Sequence, residues 1–319
     1  MRQRRWLAVA SETLLTGLLG VGLFASGRFF PVLGVLMSLL APVPAAILGL
    51  RHGRPAMLSA LALSALALAG LTTPRYAVAF VLEFGLPGLL LAELLRRTAR
   101  SEWVVIGVAG LLTLGACGVL LLDPGTRQQP FAQIERHVLS LVAEAEQLMA
   151  SLGLPGEAAP TVAGVRSPLG SFLIMAFPGI FFAGNVLTAW GYLLLVGALM
   201  RRWPALVPRP APEWWRWQLP EQLVWAFIGA GALYLTGWPR LQAVGLNGLI
   251  VLLALYFLQG LSIAAFVFKR YQLPRTLGAL SVVLLLFQPL LALVVAGVGL
   301  FDVWFSFRRL SFPRSPGST

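Results

Sequence analysis

Apolar residues fill this chain in long stretches, cut at intervals by arginine and proline. A helix needs about 20 mainly apolar residues to cross a hydrocarbon core roughly 30 Å thick. Nine stretches reach or approach that length: Leu7 to Ser26, Phe30 to Leu50, Pro55 to Thr72, Tyr76 to Leu95, Trp103 to Leu122, Pro168 to Met200, Glu221 to Trp238, Leu241 to Phe268 and Arg275 to Phe305. Pro31, Pro42 and Pro44 interrupt the second, and the third is short. The start, Met1-Arg2-Gln3-Arg4-Arg5-Trp6, has the layout of a signal peptide, but its apolar run continues to Ser26 and later stretches repeat it. A retained first helix is expected.

Two segments break the rhythm. Between Asp123 and Pro168 the residues Phe131, Ile134, Val138, Leu141, Val142, Leu148, Met149 and Leu152 recur at helical spacing, opposite Gln133, Glu135, Arg136, His137, Glu144, Glu146 and Gln147. Pro130 can open and Gly153 close such a helix, so an amphipathic helix over 130–152 is expected on the outer membrane face, with a lid or partner-docking role as the alternative. The final stretch carries Gln288-Pro289 near its middle, where proline removes a backbone donor. Either a broken hairpin or a tilted crossing follows. The expected fold is therefore all-α, a polytopic transmembrane helix bundle of eight to nine spans. Residues 1–200 would form an N-terminal six-span bundle that includes the outer helix, and residues 201–319 a C-terminal region of two to three spans.

Composition agrees. The 319 residues are 58% hydrophobic and only 11% charged, with mean hydropathy +0.82, whereas about a quarter of a soluble domain is charged. The net charge of +12 does not imply nucleic acid, because the basic residues lie in short clusters between apolar stretches. With the N-terminus inside, the inner connections hold fifteen of them, including Arg51, Arg54, Arg96, Arg97, Arg100, Arg201, Arg202, Arg209, Arg216 and Lys269; the outer ones hold six. That asymmetry places the N-terminus on the cytoplasmic side.

Catalytic signatures are missing. There is no phosphate-binding GxxxxGK[ST] loop, no HExxH and no GxSxG, and the single Cys117 with His52 and His137 cannot form a Cys/His cluster. No enzyme activity, metal or cofactor is expected. Polar residues within apolar helices remain, and such residues need a reason to be there. Glu83 lies near mid-depth of the fourth stretch and Glu12 near the inner end of the first. Gln259, next to Gly260, shares its helix with Gly245, Asn247 and Gly248, which offers two places for backbone to face a ligand. Glu83, Gln259 and Glu12 are the candidate ligand-binding residues. The plainer reading makes Asn185, Asn247, Gln259 and Gln288 interhelical hydrogen-bonding groups. The small-residue run Leu58 to Gly70 predicts a central helix, and Trp214, Trp215 and Trp217 predict an interfacial belt.

The runs Trp217-Gln-Leu-Pro220, Gly245-Leu-Asn247, Leu255-Tyr-Phe-Leu-Gln259-Gly260-Leu261 and Gly299-Leu-Phe-Asp302 through Arg308-Arg309 resemble the YybS-like family of bacterial membrane proteins. That resemblance brings no established biochemical activity with it. Through Pro31-Val-Leu-Gly34, Ala41-Pro-Val-Pro44 and Leu50-Arg-His-Gly53 the N-terminal part is also similar to the substrate-binding membrane subunits of energy-coupling-factor transporters. The expected role is a nonenzymatic small-molecule binding or transport component of the bacterial inner membrane. The alternative is a scaffold that recruits other proteins. Expected partners are membrane lipids, a small-molecule ligand and a membrane protein, with no nucleic acid.

Overall fold

The computed structural model describes residues 2–29, 37–98, 100–122, 168–207, 209–274 and 288–305, with short pieces at 132, 135–136, 139–140, 276–278, 281, 284–285 and 307. The amphipathic helix expected over 130–152 lies largely outside these residues. Among those described, the chain is helical and contains no strand. Its helices are α1 (Arg2–Phe29), α2 (Pro42–His52), α3 (Arg54–Leu71), α4 (Pro74–Arg97), α5 (Ser101–Leu121), α6 (Pro168–Arg202), α7 (Leu223–Leu235), α8 (Pro239–Arg270) and α9 (Pro289–Phe305).

Six of these, α1, α3, α4, α5, α6 and α8, are long and apolar enough to cross a membrane. Among the described residues, length and composition thus give six candidate membrane-spanning helices, against the eight to nine spans expected. Helices α7 and α9 are apolar but only 13 and 17 residues long, and α2 has 11. Proline begins two of the short ones. Pro42 opens α2 after a turn at residues 39–41, at a position where a missing N–H costs nothing. Pro289 is the first residue of α9.

Helix α8 is the hub of the C-terminal half, since α6, α7 and α9 all pack on it. Glycine makes those contacts close. A methyl group at Gly260 would overlap the Val295 carbonyl oxygen, and one at Gly299 would overlap that of Tyr256. At Gly245 it would strike the backbone of α7 at Tyr234. On the α6 side, Asn247 does more than fill space. Pro178 disturbs α6 from within, and the Asn247 amide fits between Met175 and Gly179, whose backbone groups pair with each other in a regular helix. Its Nδ2 donates to the Met175 carbonyl at 2.8 Å and its Oδ1 accepts the Gly179 N–H. A Cβ at Gly179 would lie 2.9 Å from the Asn247 Cα, so only glycine leaves room.

Helix α5 joins the halves by packing on both α4 and α6, with Asn185 donating to the Thr113 hydroxyl at 3.0 Å. The main apolar core runs through this junction from Val43 and Leu91 to Val105, Leu193 and Tyr256, crossing position 200 without a break. Helix α3 is not central. Its small face meets α1, where Ser64 donates to the Gly17 carbonyl at 3.1 Å, while Leu58, Leu63 and Leu66 are exposed on the lipid side.

The glycine crossings give a direct test. Gly299→Ala should cost at least about 1–3 kcal/mol, as overpacking does, whereas Gly297→Ala, with open space around it, should leave thermal unfolding in detergent unchanged.

Candidate functional site

The three residues singled out in the sequence lie in different surroundings. Glu12 of α1 is partly exposed, with its Oε2 2.9 Å from Arg51 Nη1 and 2.7 Å from His52 Nε2 at the end of α2. Gln259 of α8 is 1% exposed and taken up by its neighbours. Its Oε1 accepts the Leu219 N–H at 3.0 Å and its Nε2 donates to Asp302 Oδ2 at 3.3 Å, while Asp302 Oδ1 accepts the Phe307 N–H at 2.9 Å. The Ser262 hydroxyl completes this lock through the Gln259 and Trp217 carbonyls.

Glu83 sits half-buried at the centre of a π-helical turn, Val81–Gly85, within α4. Tyr192 of α6 lies within electrostatic reach of it, and α5 approaches the same turn at Gly115, where a Cβ would crowd the Leu82 carbonyl. Helices α1 and α4 do touch, but through Phe24, Phe80 and Phe84 and not through their acids. The structure does not bring Glu12, Glu83 and Gln259 together.

Three cavities meet at the end of the bundle where the basic connections lie, besides a very small one against Phe84 and Gly85 and an apolar hollow along α9. A cleft of about 450 Å³ has an apolar wall of Leu50, Leu95, Val104 and Met200 and a rim of Arg96, Arg97, Arg209 and Arg216. Its far side is the segment after α6. Pro204, Pro210 and Pro212 accompany the non-helical path of that segment, and three tryptophans seat it. Trp214 packs edge-on against Trp190 with centroids 5.9 Å apart, Lys269 Nζ lies 4.2 Å from the centre of the Trp215 ring, and Trp217 is 1% exposed. Trp217 is thus a core residue and not part of an interfacial belt, because the segment folds back under the helix ends. A cavity of about 660 Å³ adjoins the cleft through Arg96, Arg97 and Arg209 and includes His52, the partner of Glu12. Another of about 560 Å³ adjoins it through Ser101, Glu213 and Arg216.

The charges around the cleft are unequally paired. Glu93 takes both Arg54, through two hydrogen bonds, and Arg97, and Glu213 takes Arg216 at 2.6 Å. Arg96 and Arg209 have no carboxylate partner among the described residues. None of the three cavities reaches Glu83 or Gln259. In the sequence these arginines mark sidedness or, in the scaffold reading, a recruiting surface, and Trp214, Trp215 and Trp217 read as an interfacial belt; that they border one cleft is visible only in the fold. Among the described residues no group of three His, Cys, Asp or Glu is placed to hold a metal ion.

A family model described as predicted membrane protein, DUF2232, matches residues 19–303. The chain belongs to the DUF2232 family. The matched range takes in every helix from α2 to α8, the cleft, and Gln259 with its partners Leu219 and Asp302. No curated protein and no solved structure matches the chain. The comparisons reproduce neither the YybS-like resemblance nor the likeness to energy-coupling-factor subunits.

The Gln259 lock predicts a structural phenotype for this DUF2232 member. Gln259→Leu removes the acceptor of the buried Leu219 N–H and one donor to Asp302, and should cost about 1–3 kcal/mol in a thermal melt without changing the response to a ligand bound in the basic cleft.

Proposed function

We propose that this protein is a nonenzymatic small-molecule binding or transport component of a bacterial inner membrane, with its ligand in the cleft at the basic end. The observation that carries the reading is the cleft itself, an apolar wall beneath a charged rim, assembled from α2, α4, α5, α6 and the segment before α7. Small-molecule sites commonly combine a mostly apolar concavity with a few convergent polar groups.

The convergence of Arg51, Arg54, Arg96, Arg97, Arg209, Arg216 and Lys269 on one end supports a cytoplasmic position for that end and for the N-terminus. With α7 and the return between α1 and α3 counted as further crossings, α8 ends on that side as the eighth, and the final stretch is a ninth or a partial one. Membrane lipids surround the bundle through exposed residues such as Leu66, Leu71 and Leu235.

The scaffold reading has one observation in its favour. The Asn247 and Gln259 amides are consumed in holding helices together, and the cavities at the basic end stop short of Glu83. A thermal-shift screen of the purified chain against metabolites separates the two. Binding in the cleft predicts at least one stabilising ligand, an equal response from Glu83→Gln, and loss of the response in Ala211→Trp, whose indole would fill the cleft. Loss of the response in Glu83→Gln with Ala211→Trp unaffected would move the site into the bundle, and no stabilising ligand at all would favour the scaffold.

A further inference from the structure

Helix α5 opens on the cleft without a cap. Ser101 is its first residue, Arg100 before it is extended, and no side chain bonds the first backbone N–H groups. Those groups have no partner within the helix, and the aligned peptide dipoles add partial positive charge there. Such an end favours an anion. An independent feature of the same place makes the same demand. The Ser101 side chain is 4% exposed, lines both the cleft and the neighbouring cavity, and its hydroxyl has no hydrogen-bond partner among the described residues. Buried hydroxyls are rarely left so.

The two arginines without a carboxylate partner, Arg96 and Arg209, line this cleft. Glu213 borders both spaces and is paired with Arg216; the neighbouring cavity is a poorer place for an anion because it adds Glu102 and Glu221 against Arg100. We propose that the cleft binds a phosphoryl group, with the Ser101 hydroxyl and the first amides of α5 donating to its oxygens and Arg96 and Arg209 balancing its charge. The proposal rests on the cleft being a binding site. A phosphoryl group suits the donors better than a carboxylate does, since they come from two parts of the chain, the α4–α5 junction and the segment after α6, and a tetrahedral anion presents three accepting oxygens in different directions. The apolar wall of Leu50, Leu95, Val104 and Met200 leaves room beside it for the hydrocarbon part of an amphiphile. The phosphoryl group can therefore come from a lipid headgroup or from a soluble phosphate.

The test uses the full chain in an uncharged detergent, with melting followed by tryptophan fluorescence. Inorganic phosphate, dioctanoyl phosphatidic acid and dioctanoylglycerol are titrated against wild type, Ser101→Ala, the double variant Arg96→Gln/Arg209→Gln, and Arg240→Gln, which lies at the opposite end of α8. A saturable rise in melting temperature is expected with at least one phosphate probe and not with dioctanoylglycerol. The double variant should weaken apparent affinity about ten- to a hundredfold and Ser101→Ala about two- to tenfold, while Arg240→Gln titrates as wild type. Without ligand, Ser101→Ala should melt no lower than wild type, because it deletes a hydroxyl that has no partner; a structural role for Ser101 would lower it. Saturation by inorganic phosphate assigns a soluble source, and saturation by phosphatidic acid alone assigns a lipid. A response to dioctanoylglycerol equal to that to phosphatidic acid, or wild-type affinity in the double variant, overturns the phosphoryl assignment. The cleft would then survive as a binding site if Ala211→Trp abolishes the remaining response. No response to any of the three probes also overturns the assignment, and the metabolite screen with Ala211→Trp decides the cleft separately.

Discussion

Inside hydrocarbon, a backbone N–H or carbonyl that leaves its helix has no water to turn to, and everything in this bundle is arranged around that constraint. Helices can come close only where no side chain intervenes and can bend only where something else takes up the freed groups. Gly260 and Gly299 meet the first condition at the crossing of α8 and α9, and Gly245 meets it between α7 and α8. Asn247 meets the second, by presenting a donor and an acceptor to the turn of α6 that Pro178 disturbs. Because lipid tails are as apolar as leucine, such fitted contacts, and not burial from water, determine which helices associate.

The same constraint explains where open space is found. The middle of the bundle is filled by the core that runs from Val43 to Tyr256, whereas the cleft lies where helices end and charged side chains can reach water. At that depth Arg54 and Arg97 converge on Glu93 and Arg216 on Glu213, which leaves Arg96 and Arg209 as excess positive charge over an apolar wall. Chain topology supplies the clustering. Each basic connection returns to the same end, so residues as distant in sequence as His52, Arg97 and Arg209 come to border one space.

How much of this was readable in the linear chain depended on whether a feature was periodic or relational. Membrane helices declare themselves by apolar length, and α1, α3, α4, α5, α6 and α8 fall where the stretches predicted them. That α9 starts at Pro289 agrees with the donor that proline lacks. Asn185 and Asn247 were recognisable as interhelical groups, because an amide in an apolar helix has few other uses. Partnership was not readable. Gln259 reads in the sequence as either a ligand group or interhelical glue, and its partners Asp302 and Leu219 are visible only in the fold. Nothing in the local sequence marks Ser101 as buried; its burial is a property of the fold. Trp217 was misplaced for the same reason: its hydrophobicity was evident, but the fold-back that buries it was not.

The π-helical turn at Val81–Gly85 has a geometric consequence of its own. Such a turn holds one more residue than the regular spiral around it, and one residue corresponds to about 100° of rotation about the axis. It acts as a phase adjuster for α4. Phe80 points into the aromatic cluster with Phe24 while, farther along, Leu91 faces the core and Glu93 faces Arg54. Excising a single residue from the turn would keep the hydropathy of α4 nearly intact yet rotate its last turns by more than a quarter revolution, swinging the Glu93 carboxylate out from between its two arginines.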